Sequence, residues 1–166
     1  MTSSALILQV NTSPGGLPKR AIAGGFITPL GLEGDLHAHP NIHGGPQKAI
    51  LLIAAEVIED FTTRGYPLFH GALGENLTTR GLDVRALRIG DQLRAGGATL
   101  EITKPRSPCL QLDVYGPAIK QEIYDTLVKK RDPSSPHWGM SGFYTRVITP
   151  GPVGAGDIIE VVATLA

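Results

Sequence analysis

Short apolar runs, each closed by a cluster of glycine, proline, asparagine or serine, recur along this chain and predict strands more often than helices. Ala5 to Val10 is aliphatic and ends at Asn11-Thr12-Ser13-Pro14-Gly15-Gly16, so it reads as a first strand. Arg20 to Thr28 predicts a second strand, interrupted at Gly24-Gly25 by a bulge. Ala49 to Ile53 reads as a buried strand that feeds a helix over about 54–64, where Ala54, Val57, Ile58 and Phe61 share one face and Gly65 provides the stop. Leu87 to Leu93, Ala98 to Thr103, Phe143 to Ile148 and Ile158 to Val162 add further strands. Ala118 to Lys130 predicts a second helix, with Ile119, Ile123 and Leu127 in register and Lys129-Lys130 at its carbonyl end. Arg131 to Ser141 carries no period and predicts irregular structure. Seven or more short strands with two helices describe a mainly β fold, an antiparallel β-barrel with the helices packed outside.

Composition changes this picture little. The 21 glycines and 13 prolines follow no period, which in a well-patterned chain means tight turns and not disorder. A chain of 166 residues fits one domain, 1–166, with its core over about 5–162. The longest apolar run, Ala49 to Ala55, is too short to span a bilayer. Fifteen basic residues balance fifteen acidic ones, which argues against a nucleic-acid or anionic-membrane partner and leaves a small-molecule ligand. No basic region precedes Ala5-Leu6-Ile7-Leu8 and no cleavage site follows it, so a cytoplasmic address is expected. The single cysteine allows no internal disulfide and suits a reducing compartment.

That cysteine is also the leading candidate for chemistry. It ends the stretch Pro105-Arg106-Ser107-Pro108-Cys109, whose two prolines stiffen the backbone. Arg106 is near enough in sequence to favour a thiolate. A braced thiol beside a positive charge suits nucleophilic, sulfur-carrying or soft-metal chemistry, whereas a lone cysteine otherwise reads as a small buried hydrophobe. Three of the five histidines crowd a second region. There Asp35, His37, His39 and His43 read either as a zinc or iron site or as ordinary loop residues. His43-Gly44-Gly45 followed by Lys48 reads as an anion cradle, with backbone N–H groups exposed by glycine and a lysine charge beside them.

Gly74-Glu75-Asn76-Leu77-Thr78 places a carboxylate and a carboxamide at a turn, suited to the amide edges of a heterocycle or to capping local backbone. Gly90-Asp91 and Gly156-Asp157 precede apolar strands and read as entry turns. Tyr144 reads equally as core or pocket wall. Trp138 reads as a pocket lid or a surface anchor, and His70 and His137 carry no assigned role.

Taken in order, several of these segments resemble the MOSC domain, the module named after the C-terminal part of molybdenum cofactor sulfurase. They are Gly31-Leu32-Glu33-Gly34-Asp35, His43-Gly44-Gly45 with Lys48-Ala49, Gly74-Glu75-Asn76-Leu77-Thr78, Ile89-Gly90-Asp91 and Pro105-Arg106-Ser107-Pro108-Cys109. Tyr144-Thr145-Arg146-Val147-Ile148 and Pro150-Gly151-Pro152-Val153 complete the set. The likeness runs from about Ala5 to Val162 and points to the bacterial stand-alone members.

It implies a distorted β-barrel of the MOSC or PK β-barrel-like type, with two or so peripheral helices. Its pocket would hold the molybdenum cofactor (molybdopterin) or a sulfur species. Cys109 then becomes a molybdenum ligand, or takes a persulfide from a cysteine desulfurase partner, the only place for pyridoxal phosphate. Arg106 and Arg146 become partners for the cofactor's phosphate. Ser107, His43, Gly44, Gly45, Lys48, Glu75 and Asn76 become pocket residues.

Three functions follow. The first is molybdenum-dependent reduction of N-hydroxylated compounds, fed by a separate electron-donor reductase because one cysteine cannot hold a four-cysteine iron–sulfur cluster. The second is a persulfide sulfur carrier, transferase or carbon–sulfur bond enzyme without molybdenum. The third, read from the residues alone, is a zinc or iron enzyme ligated by Asp35, His37, His39 and His43.

Overall fold

Alternation along the strands sorts the aliphatic side chains between two layers. The clearest case is the strand Ile50–Ala54, all five of whose residues are buried. Its even members, Ile50, Leu52 and Ala54, enter one apolar cluster, and Leu51 and Ile53 enter another on the opposite face. A strand covered on both faces reads as a continuous apolar run, which is why this segment stands out in the sequence.

The structure is a computed structural model and describes residues 4–36 and 44–164. Its strands are β1 (Leu6–Thr12), β2 (Arg20–Ile22), β3 (Gly24–Thr28), β4 (Gly31–Leu32), β5 (Ile50–Ala54), β6 (Leu77–Arg80), β7 (Gln92–Ala95), β8 (Ala98–Pro105), β9 (Phe143–Thr149), β10 (Gly151–Gly154) and β11 (Ile159–Ala163). The helices are α1 (Ala55–Thr63), α2 (Ile119–Ile123) and α3 (Thr126–Lys129), with 3-10 turns at Pro46–Lys48, Val84–Ala86 and Leu110–Tyr115. Eight strands form one sheet in the order β11-β7-β8-β9-β5-β6-β1-β2, and β10-β3-β4 form a second. Every pairing is antiparallel except β5 with β6, which α1 connects as a crossover.

The expected barrel is not closed. The two ends of the large sheet meet over a short stretch, an isolated antiparallel bridge between Leu6 and Ile158, where Ile7 N donates to Asp157 O at 2.8 Å, Gly156 N to Ile7 O at 2.8 Å and Ile159 N to Ala5 O at 3.1 Å. Among the described residues no continuous ladder joins β11 to β1 or β2, so the architecture is a mainly β fold with few helices and an unclosed sheet.

Two elements differ from the sequence reading. The run Arg20 to Thr28 is two strands in two sheets, β2 on β1 and β3 on β10. Gly24 marks the transfer, because a Cβ there would lie 2.9 Å from Val153 O. The single helix expected over 118–130 is broken at Tyr124, which is extended, and Asp125 caps α3 by accepting from Val128 N at 2.8 Å. The break lets Ile119 and Ile123 pack on the helix side while Val128 reaches the other cluster, and Leu127 is left 40% exposed.

The aperiodic stretch 131–141 holds the largest fully buried side chain. Trp138 is 1% exposed, donates from Nε1 to Leu87 O at 2.8 Å and meets Phe143 edge-on at 5.5 Å, so it is neither lid nor surface anchor. Asp91 and Asp157 do act as entry turns, accepting from Arg88 N and Gly154 N at 2.8 Å each. No helix among the described residues is long and apolar enough to cross a membrane.

Candidate functional site

Where β8 ends, the chain is pinned against the start of β9. Arg106 N donates to Gly142 O at 2.9 Å, and Ser141 Oγ donates back to Arg106 O at 2.6 Å. The guanidinium turns inward, donating from Nη2 to Leu73 O at 2.6 Å and from Nη1 to Ser141 O at 3.4 Å. Arg106 is only 5% exposed, yet no carboxylate forms an ion pair with it among the described residues. A buried guanidinium satisfied only by carbonyls keeps most of its charge available to a ligand. Three residues on, partly buried Cys109 opens the 3-10 turn Leu110–Tyr115.

Both residues line one pocket on the helix-bearing face of the sheet, with about 520 Å³ of empty space counted out to its solvent-facing mouth. Leu51, Leu73 and Tyr144 form its apolar wall, continuous with the helix-side cluster. Lys19, Lys48 and Asn76 add polar groups. Tyr144 alternates with the inward-facing Phe143 and Thr145 along β9, which turns its ring to the pocket. Burial raises its phenol above the ordinary tyrosine range, the Arg106 charge opposing and Cys109 adding to the shift.

Beside the pocket lies a buried polar network. Lys19 Nζ donates to Asp35 Oδ1 at 2.6 Å, and Asp35 also accepts from Ser13 N at 3.0 Å and from Asn76 Nδ2 at 2.9 Å. Asn76 Oδ1 in turn accepts from Leu51 N at 3.1 Å. Asp35 therefore has both oxygens engaged in holding the loop after β1. Its three companions in the proposed zinc or iron site, His37, His39 and His43, lie outside the described residues. Among the described residues no cluster of histidine, cysteine, aspartate and glutamate is placed to hold a metal ion.

The remaining candidates divide clearly. Gly44, Lys48, Asn76, Arg106 and Cys109 come together around the pocket. Glu75 does not line it. It is fully buried, with Oε2 accepting from Gly71 N at 2.9 Å and Thr78 Oγ1 at 2.8 Å, and with Oε1 lacking any partner. Gly45 lies outside the lining and opens the turn Pro46–Lys48 with φ 86°. Ser107 is exposed and off the pocket. Arg146 donates from Nε to Glu101 Oε2 at 2.6 Å, also away from it. Sequence reasoning missed Leu17 and Lys19, which reach the wall from the loop after β1, and Gln111 just beyond Cys109. No local signal marked Lys19, which stands beside Arg20 after a turn rich in glycine and proline.

Glu75 gives a pH prediction. Burial pushes its carboxyl above the ordinary range, against the pull of the Gly71 and Thr78 hydrogen bonds and of the Arg106 charge. A group whose folded pKa is raised contributes stability that is complete below the unfolded value, about 4.3, and is lost as pH rises through the folded value. Wild-type stability to urea should therefore decline with rising pH above that point. Glu75→Gln should flatten the decline and be the more stable protein at the alkaline end. Parallel curves for the two proteins would refute this.

The MOSC domain model matches residues 39–160. The chain belongs to the MOSC domain family. This MOSC protein is 36% identical over 134 residues to "Uncharacterized protein YflK" of Bacillus subtilis (strain 168), covering 79% of this chain and 55% of that protein. It is 32% identical over 147 residues to "Protein YiiM" of Escherichia coli (strain K12), covering 85% and 60%. It thus spans less than two thirds of the length of either relative. The crystal structure of YiiM from Escherichia coli superposes with a TM-score of 0.72 at 27% identity, over 99% of this chain and 72% of that one. YiiM from Geobacillus stearothermophilus gives 0.71 at 25%, over 96% and 75%.

Proposed function

We propose that this MOSC protein holds the molybdenum cofactor in the Cys109 pocket and takes part in reducing N-hydroxylated small molecules with electrons from a separate donor protein. The observation that carries this reading is a buried guanidinium, with no carboxylate ion pair among the described residues, in the same pocket as the chain's single thiol. The donor set suits such a group: a thiolate is a soft ligand, and Arg106 with Lys48 complements a phosphate. When bound, the cofactor would supply redox chemistry at molybdenum.

The chain's own residues do the rest. Arg106 draws an anion inward. Leu51 and Leu73 exclude water from the wall. The Tyr144 phenol, kept protonated, offers a hydrogen bond toward the space between Arg106 and Cys109.

Protein purified from a host that makes the cofactor should carry molybdenum and phosphorus in stoichiometric amounts. Protein free of both would refute the reading. A sulfur-carrier role is the second reading, favoured by the partial exposure of Cys109 and by its neighbour Leu110, 76% exposed, which leave the thiol approachable by a desulfurase. Molybdenum-free protein bearing one additional sulfur atom on Cys109 would support that role instead.

A further inference from the structure

Two adjacent carbonyls anchor both ends of the segment that carries Cys109. Arg106 Nη2 donates to Leu73 O at 2.6 Å, and Tyr115 Oη donates to Ala72 O at 2.7 Å. Between these anchors only Leu112 is buried, in the helix-side cluster. No backbone hydrogen bond ties residues 107–114 to another element among the described residues. Leu112 therefore sets the depth of the segment, and the two carbonyls set its ends.

The carbonyls belong to the turn over 71–75. A Cβ built on Gly74 would stand 4.0 Å from Arg106 Nη2, so the guanidinium rests directly on this turn. Gly71 O accepts from Lys19 N at 2.9 Å and from Gly74 N at 3.1 Å. The amide of Gly71 is held by a side chain instead, donating to Glu75 Oε2 at 2.9 Å. That same oxygen accepts from Thr78 Oγ1 at 2.8 Å, which fastens the turn to β6. Glu75 is 0% exposed and its Oε1 has no partner. A buried carboxyl with one unsatisfied oxygen costs stability, and such a group in a folded protein calls for another reason to be there.

We infer that Glu75 is a positioning residue for the pocket: its Oε2, fastened to Gly71 N and Thr78 Oγ1, shapes the turn so that Leu73 O and Ala72 O hold Arg106 and Tyr115, and between them the thiol, as one rigid unit. The inference rests on the pocket being the functional site. It adds two residues that do not line that pocket, Glu75 and Tyr115, as the clamp behind its wall. An anion then meets a guanidinium already in place, and binding spends little on ordering it.

The test uses the full chain and two readouts, amide hydrogen exchange over residues 106–116 and affinity for inorganic pyrophosphate. Tyr115→Phe removes one hydroxyl and keeps the ring. It should speed exchange at Leu112 and Gly116 and weaken pyrophosphate about fivefold, the worth of one neutral hydrogen bond. Glu75→Leu leaves Gly71 N without an acceptor and should weaken pyrophosphate about tenfold or more. Glu75→Gln keeps one acceptor oxygen and should stay within about twofold of wild type. Asp125→Ala, which strips the cap of α3 away from the pocket, should lower stability and move neither readout.

Wild-type exchange and affinity in Tyr115→Phe would overturn the inference, and that variant decides it if Glu75→Leu fails to fold. A Glu75→Gln protein as impaired as Glu75→Leu would overturn it too, since the accepting oxygen would not be what matters. Wild type that binds no pyrophosphate would refute the anion pocket on which the inference rests. The exchange readout uses no ligand, so that failure is told apart from a failure of the clamp.

Discussion

Replacing Cys109 with alanine is expected to abolish molybdenum–sulfur coordination by the protein while leaving its fold intact. The position favours a clean result. Cys109 is partly exposed and has an ordinary extended backbone (φ −109°, ψ 173°), so alanine opens no core cavity and strains no turn. Stability should stay within about 1 kcal/mol of wild type. The chain has no second cysteine to substitute. Serine should not rescue the variant, since a hydroxyl is a hard and largely protonated donor where a soft thiolate is needed. X-ray absorption on cofactor-loaded protein reads the sulfur ligands directly, and an unchanged spectrum in Cys109→Ala would remove Cys109 from the site.

A second large effect is expected at Gly71, where alanine should cost more than about 4 kcal/mol, in the range reserved for backbone and core disruption. Gly71 has φ 98°, and a Cβ on it would lie 2.2 Å from the carbonyl oxygen of Lys19, which is backbone and cannot swing aside. The two residues are also tied by the hydrogen bond from Lys19 N to Gly71 O at 2.9 Å, while Gly71 N serves Glu75. Pushing the segments apart breaks both links and displaces Lys19, a pocket residue, so ligand binding should fall with stability. For a domain of this size the loss corresponds to a fall in Tm of about 10 °C or more. A urea midpoint within experimental error of wild type would show that the turn relaxes freely.

What could be read in advance depended on the range over which each interaction acts. Two prolines around Arg106 and Cys109 are a local signal, and the pocket does form there. The pairing of Asp35 with Lys19 spans sixteen residues and cannot be seen in spacing, so Asp35 looked free beside its histidines. The break in the 118–130 helix had a local signal in Asp125-Thr126, good capping residues in mid-run, which the apolar register masked. Trp138 sits in a stretch with no period, and its burial is decided by Leu87, fifty-one residues away. Closure of the sheet depended on contacts between opposite ends of the chain, Ala5 to Ile7 with Gly156 to Ile159, and there three backbone hydrogen bonds surround a single bridge without extending into a ladder.

The pairing order of the large sheet has a consequence for synthesis. β1 pairs with β6 and β5 pairs with β9, so the walls of the pocket run from Gly16 to Tyr144 and no early portion of the chain encloses it. A nascent chain leaving the ribosome gains its thiol well before it gains the strand that carries Tyr144. Such non-local pairing makes folding slow, and an incomplete product has no partial affinity for ligand. Any ligand of this pocket would therefore be taken up late, by a finished scaffold.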